Sequence, residues 1–149
     1  MISLKESTLQ KIKLHARKAY PEECCGILLG KDQGEQKEVN EILELTNEKQ
    51  EERKRRYLIS PEGYKLAETE ARKRGLEILG LYHSHPNHPA RPSAFDLEHA
   101  LPYWSYVIVA VDKGDPADIF SWVLKDDRSA FAEERITIVE EEFAHNSKK

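Results

Sequence analysis

Two imidazoles and a carboxylate stand close together in this chain. His83 and His85 flank Ser84 in Tyr82-His83-Ser84-His85-Pro86, and Asp96 closes Pro92-Ser93-Ala94-Phe95-Asp96. A catalytic zinc takes three protein ligands of these types and keeps a fourth position open. Alternate residues of an extended chain project to the same side, so His83 and His85 can face one point while Ser84 faces away. Segment 86–92 contains Pro86, Pro89 and Pro92 and can turn the chain back toward the strand end. Asp96 then falls in the first turn of the next helix, a short reach from both histidines. A single anion among three ligands leaves a divalent zinc with residual positive charge, which lowers the pKa of bound water to about 7 in favourable sites. Ser93-x-x-Asp96 is also a helix-capping pattern that needs no metal. The two readings are compatible, since Ser93 can start the helix while Asp96 turns to the metal.

The elements that must position these residues show in the pattern of the chain. The 149 residues fit one domain, expected over residues 1–143 with a frayed tail at 144–149. The first element reads as a helix in which Ser7-Thr8-Leu9-Gln10 resembles a capping box and Leu9, Ile12, Ala16 and Ala19 share a face, with Pro21 ending it. Strands are expected at 25–29, stopped by Gly30, and at 39–45 after a turn at Gly34. Residues 48–56 read as a charged loop and 57–59 as a strand. Ser60-Pro61-Glu62 is a helix start, and that helix runs to Arg74 with Gly75 as its stop. A strand at 76–82 delivers the histidines, and a helix spans 93–100. The continuous apolar run at 106–111 reads as a strand buried on both faces. Residues 112–116 read as a loop, and 119–124 and 135–139 as further strands. Interleaved helices and strands imply an α/β (α+β) fold, a mixed central sheet with helices packed on it.

Composition narrows the function classes. Charged residues make up 34% of the chain and apolar ones 39%, and no apolar run approaches the 18 or more residues of a membrane span. No apolar stretch follows a basic segment at the start, so no secretory leader is expected. The net charge of −4 argues against nucleic acid as a partner, and the run Arg53-Lys54-Arg55-Arg56 reads as a solvated edge. The two cysteines, Cys24 and Cys25, are adjacent and ill placed to pair, which points to a reducing, cytoplasmic compartment. His88, in the proline-rich loop, and His99, three residues after Asp96, read as surface histidines. Trp104 and Trp122 read as core.

The string His83-x-His85-x7-Ser93-x2-Asp96, with Glu23-x-Cys25-Gly26 upstream, resembles the JAMM motif of the MPN/JAB-domain (Mov34/MPN/PAD-1) zinc metalloproteases. The likeness extends to the strand around Cys25-Gly26, the Ser60-Pro61 helix, Leu79-Gly80-Leu81-Tyr82 and the strand at 106–111. It covers most of the chain at the compact length of free-standing prokaryotic members. The resemblance implies a fold similar to that of cytidine deaminases. It implies one Zn2+ per chain held by His83, His85 and Asp96, with water as fourth ligand. Glu23 would be the general base and Ser93 the hydrogen-bond donor to the oxyanion; both roles make chemical sense beside a metal. Glu23 is chosen over Glu22 because the family's glutamate stands two residues before the Cys-Gly pair. The implied substrate is the Gly-Gly C-terminus of a ubiquitin-like or sulfur-carrier protein, joined by a peptide or isopeptide bond. Two rival classes remain. One is a non-catalytic MPN interaction module, which generally lacks the ligands present here. The other is a zinc deaminase, whose His-x-Glu and Pro-Cys-x-x-Cys signature is missing.

Overall fold

The structure is a computed structural model and is described for residues 1–45 and 61–140. In chain order its elements are β1 (Ile2–Lys5), α1 (Glu6–Ala19), β2 (Cys25–Asp32), β3 (Lys37–Leu45), α2 (Pro61–Arg74), β4 (Glu77–Pro86), α3 (Ala94–Glu98), β5 (Ser105–Asp112), β6 (Asp115–Leu124), β7 (Phe131–Glu134) and β8 (Ile136–Val139). The expected loop at 48–56, strand at 57–59, cap at Ser60 and tail at 144–149 lie outside the described residues. No helix among the described residues is long and apolar enough to cross a membrane.

Among the described residues all the strands form one mixed sheet in the order β7-β6-β5-β4-β2-β3-β1-β8. β4 sits at its centre, antiparallel to β2 and parallel to β5. The edge strands β7 and β8 are separated in the chain by Arg135 alone, so the sheet must curl until its edges approach. Polar groups close the gap at the end where β5 begins. The Ile2 amide donates to the Arg135 carbonyl at 2.9 Å. The Lys37 ammonium donates to the Tyr103 carbonyl and the Ser105 hydroxyl, both at 2.8 Å. Ser105 and Ser121 in turn donate to the Glu134 carboxylate at 2.7 and 2.9 Å.

Side chains of β2 alternate between the two faces, as a strand buried on both sides requires. Leu28 packs with Ile12 and Ala16 of α1, whereas Ile27 and Leu29 pack with Ala67 and Ala71 of α2. The same alternation in β4 puts Tyr82 on the α1 face and Leu81, and with it His83 and His85, on the other. β5 is buried along its length except at Asp112, as its apolar run implies.

Several expectations need correction. Ser7 does not cap α1; the cap is Lys5, which makes no side-chain cap bond, because β1 runs straight into the helix. Gly30 does not stop β2. It sits at a register shift against β3, where a Cβ would collide with the Glu38 carbonyl. The helix at 93–100 is shorter, spanning Ala94–Glu98. The loop at 112–116 shrinks to Lys113-Gly114, whose φ values of 51° and 89° suit a two-residue hairpin that carries Asp115 and Pro116 into β6.

Candidate metal centre

β4 carries His83 and His85 within the strand rather than beyond its end. Their rings lie 4.8 Å apart between centroids, both facing Asp96. His83 Nε2 is 3.1 Å from Asp96 Oδ1, and His85 Nε2 is 3.4 Å from Asp96 Oδ2. All three residues are buried, and one ligand atom from each falls within 4.8 Å of the others. Tetrahedral zinc bound at roughly 2.0–2.1 Å holds its ligand atoms about 3.3 Å apart. Each histidine nitrogen lies near that distance from a carboxylate oxygen, His83 from Oδ1 and His85 from Oδ2.

The tautomer of His85 sharpens the fit. Its Nδ1 lies 2.9 Å from the Pro89 carbonyl oxygen, which can only accept, so Nδ1 carries the hydrogen. In the neutral ring Nε2 then bears a lone pair aimed at a carboxylate oxygen 3.4 Å away. Two lone pairs face each other across that gap. A cation between them, or a second proton on the ring, is needed to make the contact favourable. A hydrogen bond from the far nitrogen to a backbone carbonyl is also how metal-bound histidines are usually oriented.

Asp96 is placed by its helix. Ser93 is the N-cap of α3: its hydroxyl accepts from the Asp96 amide at 3.2 Å, and its amide donates to Asp96 Oδ2 at 2.6 Å. The capping and ligand readings of Ser93-x-x-Asp96 are thus realised in one geometry. Burial alone would push the Asp96 carboxyl up. Where the site holds a second proton on these rings instead of a cation, the charge on His83 and hydrogen bonds from His83, His85 and the Ser93 backbone override it and hold the group well below the usual carboxylate range.

Glu23 reaches the site across the sheet. Cys25 is the cross-strand partner of His83. Just before it the Cys24 amide donates to the Ser84 hydroxyl at 2.9 Å, and the Ser84 amide donates to the Cys24 carbonyl at 3.2 Å. Ser84 therefore faces away from the imidazoles and pins the strand start that carries Glu23. Glu23 is buried, at 4% exposure, whereas Glu22 is only partly covered. Glu23, His85 and Ser93 share a cleft of about 310 Å3 whose other wall is the loop with His88, Pro89, Arg91 and Pro92. The Ser93 hydroxyl donates to Asp96 Oδ2 at 3.0 Å in this structure.

The remaining histidines divide. His88 is exposed at the cleft wall. His99 is exposed on α3, donates to the Phe95 carbonyl and stacks on the Phe95 ring 4.1 Å away, apart from the metal ligands. His15 falls on the Ile12, Ala16, Ala19 stripe of α1, and its Nδ1 lies 2.7 Å from the buried Tyr82 hydroxyl. Trp122 is half-buried and its indole N–H donates to the Ala90 carbonyl at 3.0 Å, fastening the loop after β4 to β6. Trp104, also half-buried, stacks on Tyr64. Cys24 and Cys25 are both buried free thiols.

A curled mixed sheet with a His-x-His strand at its centre and a capped aspartate facing it defines a JAB/MPN domain. A family model described as prokaryotic homologs of the JAB domain matches residues 5–125, and the chain belongs to that family. It is 31% identical over 104 residues to a Thermus thermophilus protein named as a probable TtuB-protein conjugate cleaving protease; the match covers 70% of this chain and 66% of that protein's length. A solution structure of a Desulfitobacterium hafniense protein superposes with a TM-score of 0.84 at 34% identity, over 97% of this chain and 98% of that one. A JAB1/MPN domain protein from Archaeoglobus fulgidus superposes with a TM-score of 0.60 at 20% identity, over 94% and 98%, a likeness of fold.

Proposed function

We propose that this chain is a zinc-dependent peptidase that hydrolyses a peptide or isopeptide bond at the C-terminus of a ubiquitin-like or sulfur-carrier protein. The observation that carries the metal assignment is the His85 lone pair directed at Asp96 beside buried His83, an arrangement that a divalent cation satisfies. In this reading His83, His85 and Asp96 hold one zinc. Bound there, zinc supplies Lewis acidity and acidifies a water in its open position. Glu23, buried at the same cleft, accepts a proton from the attacking water and passes it to the leaving amine. Ser93, on the cleft wall, turns its hydroxyl from Asp96 to the substrate carbonyl oxygen as that oxygen gains charge. The Asp96 amide and the Ser93 amide keep the cap in place meanwhile.

The substrate class rests on the family and on the Thermus thermophilus relative named for cleaving protein conjugates. A glycine tail suits a cleft this small, since its backbone can approach the metal with no side chain in the way. A scaffold of the same fold would have no use for three buried ionisable side chains, which are costly to bury without a partner or a task. The test is intact-mass spectrometry of a sulfur carrier bearing one cysteine after its Gly-Gly end, incubated with zinc-loaded protein. Wild type should remove one cysteine mass, and Glu23→Gln should keep zinc while losing most turnover. An active Glu23→Gln protein would sink the base assignment. No hydrolysis of this carrier or of isopeptide-linked conjugates by zinc-loaded wild type would sink the peptidase reading.

A further inference from the structure

One of the three metal-facing side chains depends on a loop for its orientation. His83 is fully buried within β4, and Asp96 is locked in the α3 capping box. His85 borders the cleft, with 9% of its side chain exposed against 0% and 2% for the other two. Its far nitrogen, Nδ1, donates to the Pro89 carbonyl at 2.9 Å. Metal affinity is sensitive to such outer partners, because they set the direction of the ligand's lone pair. Whatever places the Pro89 carbonyl therefore places a ligand.

That carbonyl sits in a strut held on both sides. Asn87 begins it, at a left-handed φ of 58° that asparagine tolerates. The Asn87 amide donates to the Val111 carbonyl at 2.6 Å, and its Oδ1 accepts from the Lys113 amide at 2.9 Å. Its Nδ2 donates to the Tyr20 hydroxyl at 3.0 Å. The ring of Pro89 fixes its own φ. Ala90, next in the chain, is buried with Ile108 and Ala110 of β5. The Ala90 carbonyl accepts from Trp122 Nε1 at 3.0 Å. Trp122 lies in β6 with Tyr106 of β5 opposite it on one side and Glu133 of β7 on the other, so the base of the indole is fixed by the sheet.

We infer that Trp122 is a positioning residue for the metal ligand His85, acting from two strands away through Ala90 and Pro89. The indole N–H holds Ala90, Ala90 holds the neighbouring Pro89 carbonyl over the imidazole, and that carbonyl aims Nε2 at the metal position. This rests on the metal reading of the site and is independent of any substrate. The coupling is reciprocal: if the indole bond strengthens zinc binding, zinc must strengthen the indole bond by the same factor.

Zinc affinity is read on folded protein by competition with a chromogenic chelator, so that a change in global stability does not enter. Trp122→Phe keeps a ring against Ala90 and removes the N–H. Its zinc Kd should rise about tenfold, the low end of the range for outer partners of metal ligands. Trp104→Phe removes the other indole, which stacks on Tyr64, and should leave the Kd unchanged. In wild type followed by NMR, zinc should slow hydrogen exchange at the Trp122 indole by about the same tenfold factor and leave Trp104 alone. In metal-free protein, Trp122→Phe should speed exchange of the His85 Nδ1 hydrogen. Wild-type zinc affinity in Trp122→Phe overturns the inference. Equal weakening by both tryptophan variants overturns it too, since that would be a general loosening of the sheet. Should Trp122→Phe fail to fold, the wild-type exchange decides, and a Trp122 indole that zinc leaves unprotected sinks the idea. If wild type takes up no zinc, the metal reading falls; faster His85 Nδ1 exchange in Trp122→Phe then still upholds the positioning of that ring, and unchanged exchange overturns it.

Discussion

Gly26 stands directly across from Tyr82 in the β2–β4 pairing, and the Tyr82 ring folds over it. A Cβ at Gly26 would lie inside the space of that ring. The φ of Gly26 is not in the left-handed region, so backbone entropy alone makes Gly26→Ala stabilising by about 0.4–1 kcal/mol. The contact with Tyr82 reverses the sign. The ring is fully buried and its hydroxyl is bound to His15 at 2.7 Å, so it cannot swing into solvent. Overpacking costs about 1–3 kcal/mol and the lost hydrogen bond about 1 more, roughly 2–4 kcal/mol together. With unfolding entropy near 2.1 cal/mol/K per residue over 149 residues, a loss of about 3 kcal/mol lowers Tm by about 10 °C. The assay is thermal and urea unfolding of Gly26→Ala, Tyr82→Leu and the double variant. Each single change should destabilise, one by crowding and one by leaving a cavity. The double variant should be at least about 1 kcal/mol more stable than their sum, because the alanine then fills space the ring has left. Additive costs, or a stabilised Gly26→Ala, would refute this account of why a glycine follows Cys25.

His83→Ala should abolish zinc retention in equilibrium dialysis and remove the zinc-dependent rise in Tm, which in wild type corresponds to about 2.7 kcal/mol at a free zinc concentration of 100 times Kd; tight zinc retention by the variant would place the site elsewhere. Burial pushes the Cys24 thiol up to about 12, against the Ser84 hydrogen bond that lowers it. Iodoacetamide at pH 8 should therefore leave Cys24 and the equally buried Cys25 unlabelled until urea is added, and rapid labelling of the native protein would contradict their burial. Asp96 is held below the usual carboxylate range, so the metal-free protein binds its proton more weakly folded than unfolded. That stability is fully present above the unfolded carboxylate pKa of about 3.9 and drains away as pH falls below it. Urea midpoints between pH 5 and 2.5 should fall more steeply for wild type than for Asp96→Asn; parallel curves would count against the Asp96 assignment. Ser84→Ala leaves the buried Cys24 amide without its acceptor and should cost about 1–3 kcal/mol by urea unfolding, while a neutral result would mean that the β2 start is held by other contacts.

The parts of this molecule that sequence disclosed are those whose information is local. His83, His85, Ser93 and Asp96 fall within one strand, one loop and one short helix, and period-two alternation with a capping pattern was enough to converge them. β1 and β7, four residues each, lack the apolar β-branched alternation that marks β8 at Ile136-Thr137-Ile138-Val139, and pairing fixes them, β1 against β3 and β8 and β7 against β6. β4 looked too short because His83-Ser84-His85-Pro86 has none of the branched residues that mark a strand; pairing with β5, through Pro86, overrides that weak propensity. Asp115 and Pro116 read as loop because aspartate and proline punctuate chains, yet a tight turn at Lys113-Gly114 carries them into β6. Glu23 shows where such reading ends. Nothing in its own neighbourhood separates it from Glu22, and the likeness to a family chose between them. The structure supplies the physical reason: Ser84, between the two histidines, turns its back to them and grips the Cys24 backbone on both sides. The residue that looks like a spacer in His-x-His is thus what brings a carboxylate sixty residues upstream to the same cleft.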